Sequence, residues 1–293
     1  MQSWEQYWAE NDPNAPVFSD GVGKNRQEVV NFWQAAISDV PPGSTIIDIC
    51  SGAGAVFDTC TNINQYNLFA HDGSERARAH LKRKYANANV LSNDDLAARK
   101  EAFADILVSQ FGIEYLDKDA QKIAISMLKQ GGAFIALIHS TDGFIHKKYQ
   151  KEHKQLISLI SESMCVELLQ IFKRSTSEGK PLLTEFDAQW SKIGLDTGNL
   201  YGGALALFNG GKQLISKYNN FALQDVENWF FGIEQQLKLA KTNIEQILRV
   251  ALDEQQIVSF CEQHEITKEL SIEPLFIASQ TLPIGLVVKG TKC

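Results

Sequence analysis

The sequence predicts an α/β fold: a mostly parallel sheet with helices on both faces, interrupted by an all-helical segment. Three observations carry this prediction. Short β-branched and apolar runs alternate with helical stretches through the first 140 residues. From about 141 to 252 the apolar period is helical, with no convincing strand. Two further apolar runs then close the chain through a loop containing Pro283, a connection short enough for antiparallel neighbours.

The elements follow in order. Trp4, Tyr7 and Trp8 share helical spacing in an aromatic lead-in that Pro13 and Pro16 interrupt. Ser19-Asp20-Gly21 offers caps for a second helix, with Val29, Val30, Phe32, Trp33, Ala36 and Ile37 on its apolar face. Strands are expected at 45–50, 67–72, 89–91, 103–109 and 133–138. An Arg- and Ala-rich helix spans about 74–85, and another runs from about 119 to 128 and stops at Gly131-Gly132. In the helical segment one helix is expected through 149–172 and another through 225–252, with Gly202-Gly203 and Gly210-Gly211 as punctuation between them. A short helix at 256–264 precedes the final strands at 270–278 and 284–289. The division is therefore 1–140 for the lead-in and first five strands, 141–252 for a helical insert, and 253–293 for the last helix and hairpin.

Composition narrows the function. The chain has 293 residues, 28 Lys+Arg against 35 Asp+Glu, and a net charge of −7. That balance disfavours broad binding to a phosphate backbone, so nucleic acid is not an expected partner. The insert carries 13 basic and 12 acidic residues, so the negative charge belongs to the remainder. There is no apolar run of about 18 residues, and the opening lacks the basic start and apolar stretch of a signal peptide. The five cysteines, Cys50, Cys60, Cys165, Cys261 and Cys293, are scattered without a Cys-x-x-Cys pair. A reduced cytoplasmic protein with no membrane association and no metal centre is the expectation; the sequence does not address oligomeric state.

The chemistry concentrates after the first strand. Asp48-Ile49-Cys50-Ser51-Gly52-Ala53-Gly54 sits at a strand end and opens a helix. Glycines let a ligand approach the backbone, and a helix amino terminus supplies N–H groups and positive dipole. Asp72 ends the next strand 18 residues beyond Gly54, where an acid can accept both hydroxyls of a ribose. Together these read as a nucleoside-cofactor site. A dinucleotide site prefers Gly-x-Gly-x-x-Gly, and here Phe57 stands in place of the third glycine.

These residues resemble motif I of the class I S-adenosylmethionine-dependent methyltransferases, written D-x-G-x-G-x-G. The similarity continues through Asp72, Asn93-Asp94-Asp95, the run Ala104–Phe111, Met127–Gly132 and the terminal hairpin, covering about 25–140 and 253–290. Cys50 departs from the pattern, replacing the first glycine. The resemblance implies a three-layer Rossmann-like fold with a seven-stranded, mostly parallel sheet and an antiparallel last strand. It implies S-adenosylmethionine as cofactor, released as S-adenosylhomocysteine. By position, Cys50, Ser51, Gly52, Ala53 and Gly54 would cradle the methionine part, and Asp48 would orient that loop and the cofactor amino group. Asp72, with Gly73, would hold the ribose. Asp94 or Asp95 would bond the adenine amine, with Leu96 against the ring. Ser109, Gln110 and Phe111 would line the site near the sulfonium, and Arg26 would pair with the cofactor carboxylate.

Glu114, Tyr115 and His139 follow the fourth and fifth strands and are the candidates for a base, should the acceptor have to lose a proton. The expected activity is methyl transfer to a small-molecule acceptor, with the insert as a cap. The alternatives are an RNA methyltransferase, which the acidic charge opposes, and a non-catalytic S-adenosylmethionine-binding scaffold or sensor. His71 reads as structural. The basic run at His146, Lys147, Lys148, Lys151, His153 and Lys154 reads first as a solvated helix face, and otherwise as a site for an acidic substrate.

Overall fold

The computed structural model describes Glu5, Trp8 and residues 27–99, 101–278 and 280–293. Arg26, Trp4 and Tyr7, singled out above, lie outside these residues.

Helix α1 (Gln27–Ser38) buries Val29, Trp33 and Ile37, one residue per turn on a single stripe. Strand β1 (Thr45–Ile49) is buried along almost its whole length, as a central parallel strand must be. A single helical turn, α2 (Ala55–Asp58), follows the glycine loop. The remaining elements of the first part are β2 (Asn67–His71), α3 (Glu75–Lys84), β3 (Asn89–Leu91), α4 (Asn93–Ala98), β4 (Ala104–Gln110), α5 (Lys118–Ser126) and β5 (Leu128–Ile138).

The helical part comprises α6 (Phe144–Ser161), α7 (Met164–Glu178), α8 (Leu183–Lys192), α9 (Gly202–Ser216) and α10 (Leu223–Val250). Helix α11 (Glu254–Gln263) and strands β6 (Ile266–Leu275) and β7 (Gly285–Lys292) complete the chain.

The seven strands form one sheet in the order β3-β2-β1-β4-β5-β7-β6. Strands β1 to β5 pair in parallel, and β7 runs antiparallel to both β5 and β6. This is the mostly parallel sheet with a reversed last strand that the sequence predicts. The chain winds outward from β1 in both directions, through β2 and β3 on one side and β4 and β5 on the other. The crevice outside the carboxyl ends of β1 and β4 is thus the switch point where such sheets bind ligands.

The contacts divide the chain into two compact units, 1–147 with 249–293, and Lys148–Leu248. The first has a core of Ile47, Ile49, Leu107, Phe134, Ala136 and Val288 on the sheet, with Ala124, Ile125, Ile257 and Cys261 from flanking helices. The second is built around Leu156, Leu168, Phe172, Phe186, Trp190, Leu207, Phe230 and Leu237. Among the described residues no single helix is long and apolar enough to cross a membrane. All five cysteines are free thiols.

Four sequence expectations are corrected. Gly131-Gly132 does not end a helix: α5 stops at Ser126, and the glycines lie within β5. The register steps from Ala104↔Leu128 to Ile106↔Ala133, so the extra residues bulge, with Gly131 at φ 74. The helix expected through 149–172 is two helices bent by 56°, broken at Ser163, which stands at φ 50. Gly202-Gly203 opens α9, as punctuation should, whereas Gly210-Gly211 lies in its interior. A Cβ at Gly210 would run into the Trp229 ring, so glycine there serves close helix packing. Finally, α2 is only four residues long, so the macrodipole expected behind the glycine loop is that of a single turn.

Candidate active site

The site is assembled where β1, β2, β4 and β5 end. Asp48, the penultimate residue of β1, is 1% exposed. Its Oδ2 accepts a hydrogen bond from Ser51 Oγ at 2.7 Å, and its Oδ1 has no partner. Burial, reinforced by the charge of Asp72, pushes its carboxyl up to about 7 against the pull of the Ser51 bond.

The backbone then turns at Cys50 with φ 56, followed by Gly52 at φ 55 and Gly54 at φ 84. Cys50 thus occupies a left-handed position, which explains physically why a glycine suits this place in the motif. Burial, and then the charges of Asp72, Glu114 and Asp48, hold the Cys50 thiol well above its usual range.

Two aromatic rings press on the loop. A Cβ at Gly52 would stand 2.9 Å from Trp8 Cζ2, and one at Gly54 would stand 2.5 Å from Tyr85 Cε2. Gly52 and Gly54 are therefore required both by φ and by close approach. Tyr85 also donates its hydroxyl to the Gly54 carbonyl at 3.1 Å, and Lys84 Nζ reaches the Ala53 carbonyl at 3.5 Å.

Asp72 follows β2 and ties two loops together. Its Oδ2 accepts from the Gly52 N–H and its Oδ1 from the Ser74 N–H, both at 2.8 Å. Burial raises its pKa in spite of these bonds and of the nearby His71 and Arg78. Arg78 donates to the carbonyls of Asp72 and Gly73 at 2.9 Å. His71 meets Asn93 Oδ1 at 2.9 Å, and burial lowers its pKa.

The acids after β3 have different tasks. Asp95 forms a capping box with Ser92, accepting from its backbone N–H at 2.9 Å and from its hydroxyl at 2.7 Å. Those bonds hold the Asp95 carboxyl below its usual range. Asp94 is outside the box, and Leu96 is a buried member of the first core.

On the other side of the crevice, Ser109 Oγ donates to the Ile49 carbonyl and accepts from the Ile113 N–H, each at 2.9 Å. Gln110 Oε1 accepts from Trp33 Nε1 at 2.5 Å. Phe111, at φ 49, stacks on His139 with ring centroids 4.4 Å apart, and Tyr115 meets His139 edge-on at 6.0 Å. Gly112 lets this loop approach β1: a Cβ there would stand 2.7 Å from Cys50 Cβ and 3.0 Å from the Ile49 carbonyl.

Glu114 sits in a 3₁₀ turn, 7% exposed. Its Oε1 accepts from the His139 N–H at 3.0 Å, and its Oε2 has no partner. Burial pushes Glu114 up to about 7, against backbone N–H groups at His139, Glu114 itself and Gly112. Burial pushes His139 down to about 3, with the His146 charge adding to it, so its imidazole is neutral with Nδ1 unpartnered.

The fold therefore gathers Asp48, Cys50, Asp72 and Glu114 from three strand ends. Sequence reading missed Glu5, which accepts from Ser74 Oγ at 2.6 Å and from the Glu75 N–H at 3.0 Å, and pairs with Arg76 at 3.5 Å. No spacing rule links an acid 69 residues away to that cap. Among the described residues no group of three or more His, Cys, Asp or Glu is placed to hold a metal ion.

No protein-family profile matches the chain, and no curated protein matches it. Solved structures do. A protein from Thermotoga maritima, titled an S-adenosylmethionine-dependent methyltransferase and possible histamine N-methyltransferase, is 14% identical with a TM-score of 0.45, over 91% of this chain and 90% of its own. Geranyl diphosphate C-methyltransferase from Streptomyces coelicolor is 11% identical with a TM-score of 0.37, over 47% of this chain and 64% of its own. A methyltransferase solved with the Trm112 activator of Haloferax volcanii is 18% identical with a TM-score of 0.39, over 50% and 66%. This chain thus spans just under two thirds of the length of the last two. The sheet order and the reversed β7 make the fold Rossmann-like, of the form that the motif resemblance to class I methyltransferases implies.

Proposed function

We propose that the protein is an S-adenosylmethionine-dependent methyltransferase acting on a small-molecule acceptor. The observation that carries this reading is the set of buried carboxyls at the glycine loop. Asp48 keeps an unpartnered oxygen in the interior, with Asp72 raised beside it. Buried acids without a cationic partner are costly unless neutralised or matched by a charge. A ligand bearing an ammonium, a sulfonium and a ribose fits this donor and charge set.

In this reading the Gly52–Gly54 loop cradles the methionine part, and Asp48 faces the amino group. Asp72, already holding Gly52 and Ser74, offers its remaining lone pairs to the ribose hydroxyls. Asp94 is better placed than Asp95 for the adenine amine, because Asp95 is occupied by its cap. Leu96 is the apolar neighbour assigned to the ring. Ser109 acts by fixing the β4 loop to β1, and Gln110 by its bond to Trp33. When bound, S-adenosylmethionine supplies an electrophilic methyl group. The protein's contribution is to hold the acceptor in line, and proximity of that kind lowers barriers by up to about 7–11 kcal/mol. Segment 141–252 follows the carboxyl end of β5, and insertions at such ends commonly carry specificity, so acceptor selection is assigned to it.

Calorimetry tests the cofactor. S-adenosylhomocysteine and S-adenosylmethionine should bind, and NAD should not. The reverse pattern would sink this reading in favour of a nicotinamide enzyme. A methyl-transfer screen then separates an enzyme from a binding scaffold.

A further inference from the structure

Glu114 and its neighbours are more specific than a generic base. The carboxyl lies on the β4 side of the crevice, with one oxygen fixed by the His139 N–H and the other buried without a partner. Among the described residues, the influences on its charge are burial and backbone N–H groups, with no lysine or arginine contributing. The described titratable groups nearby add no positive charge. Cys50, across from it on the β1 loop, is a neutral thiol that feels the Glu114 charge. His139, after β5, is neutral. His139, whose backbone N–H donates to Glu114, is itself stacked on Phe111 and meets Tyr115 edge-on. An interior carboxyl with a spare oxygen is matched by an organic ammonium. A carboxylate or phosphate acceptor would be repelled, and a neutral hydroxyl would leave the charge unmatched.

We propose that the acceptor is an organic amine, and that Glu114 Oε2 binds its ammonium group and takes a proton from it. This rests on the methyltransferase reading and adds the substrate class. The balance is simple. An N–H proton passes to Oε2, freeing the nitrogen lone pair. That pair forms the new N–C bond as the methyl group's bond to sulfur breaks, and the electrons of the broken bond stay on sulfur. The product is a methylated ammonium, with S-adenosylhomocysteine as leaving group. With its carboxyl raised to about 7, Glu114 can accept and return the proton near neutrality.

The test is binding, read by calorimetry on the full chain saturated with S-adenosylhomocysteine. The probes are small arylalkyl and alkyl amines, each paired with the alcohol of the same carbon skeleton. At least one amine should bind ten-fold or more tightly than its alcohol. Glu114→Gln, which keeps an oxygen for the His139 N–H, should erase that preference while S-adenosylhomocysteine still binds. A structural role alone would leave the amine-to-alcohol ratio unmoved in E114Q. The proposal is overturned if no amine outbinds its alcohol, or if the preference survives E114Q. Loss of S-adenosylhomocysteine binding by the wild-type chain would instead bring down the cofactor reading, and this proposal with it.

Discussion

The crevice of the first unit and the core of the second differ in what they leave unfinished. In the second unit Phe172, Phe186, Trp190 and Phe230 are fully buried among aliphatic side chains. Its buried polar groups are mostly used: Ser175 Oγ donates to the Ile171 carbonyl and accepts from the Leu182 N–H, and Gln155 spans Asn199 and Tyr201. The atoms left over there are neutral N–H donors, on Gln189 and Trp190. In the crevice, the leftover atoms include oxygens of two ionisable carboxyls, Asp48 and Glu114. One region is chiefly a packing solution, although burial raises the Glu152 carboxyl there as well. The other holds two carboxyls with unpartnered oxygens, which is the ground for proposing a charged ligand there.

The largest expected effect lies in the packed region. Phe186→Ala removes a fully buried ring and should cost about 3–5 kcal/mol in urea unfolding; a loss under about 1 kcal/mol would show that this core is loose. Asp72→Ala comes next. It removes the acceptor of both the Gly52 and Ser74 N–H groups, and should weaken S-adenosylhomocysteine at least ~100-fold, or about 2.7 kcal/mol. Unchanged calorimetric affinity would refute the ribose assignment.

The third contrast is in pH dependence. Asp48 and Glu114 have native carboxyls raised from ordinary values of 3.8 and 4.5 to about 7. Between those values and 7 the native state holds more protons than the unfolded chain. Their contribution is therefore full below about 4 and is lost as pH climbs to 7. Buried neutral His139 works the other way below its ordinary value of 6.5, so the carboxyl effect is read as a difference between two proteins. The stability of wild type relative to Asp48→Asn should fall from pH 5 to pH 8, and a difference that stays flat or rises over this range would contradict the burial argument at Asp48. The smallest effect is at Cys50. Cys50→Gly should be more stable than Cys50→Ala by about 1 kcal/mol, read as a higher melting temperature, because only alanine is strained at φ 56. Equal melting temperatures would mean that the turn relaxes.

The sheet was legible because its central strands are buried on both faces, and Ile46-Ile47 and Leu107-Val108 announce that directly. Asp48, Gly52, Gly54 and Asp72 were legible because their spacing reflects one loop and one strand end. The failures share a cause: a residue with several uses was assigned one. Gly131 suits a helix end or a bulge, and only the pairing with β4 decides. Ser163 breaks a helix without glycine or proline, so periodicity ran straight through it. Asp94 and Asp95 are chemically alike, and the Ser92 capping box distinguishes them. Glu5 reaches the start of α3 through tertiary structure alone.

The edges of the sheet have a consequence of their own. An unpaired strand edge invites another chain to add to it, which is a route to aggregation. Strand β3 is three residues long, too short a template. Strand β6, at the other end of the order, is ten residues long but irregular. Its pairing shifts register twice, Glu269 stands at φ 54, and Pro274 offers no N–H to a newcomer. Lys268 and Glu273 are exposed along it. The strand that terminates the sheet is thereby built to stop it at seven.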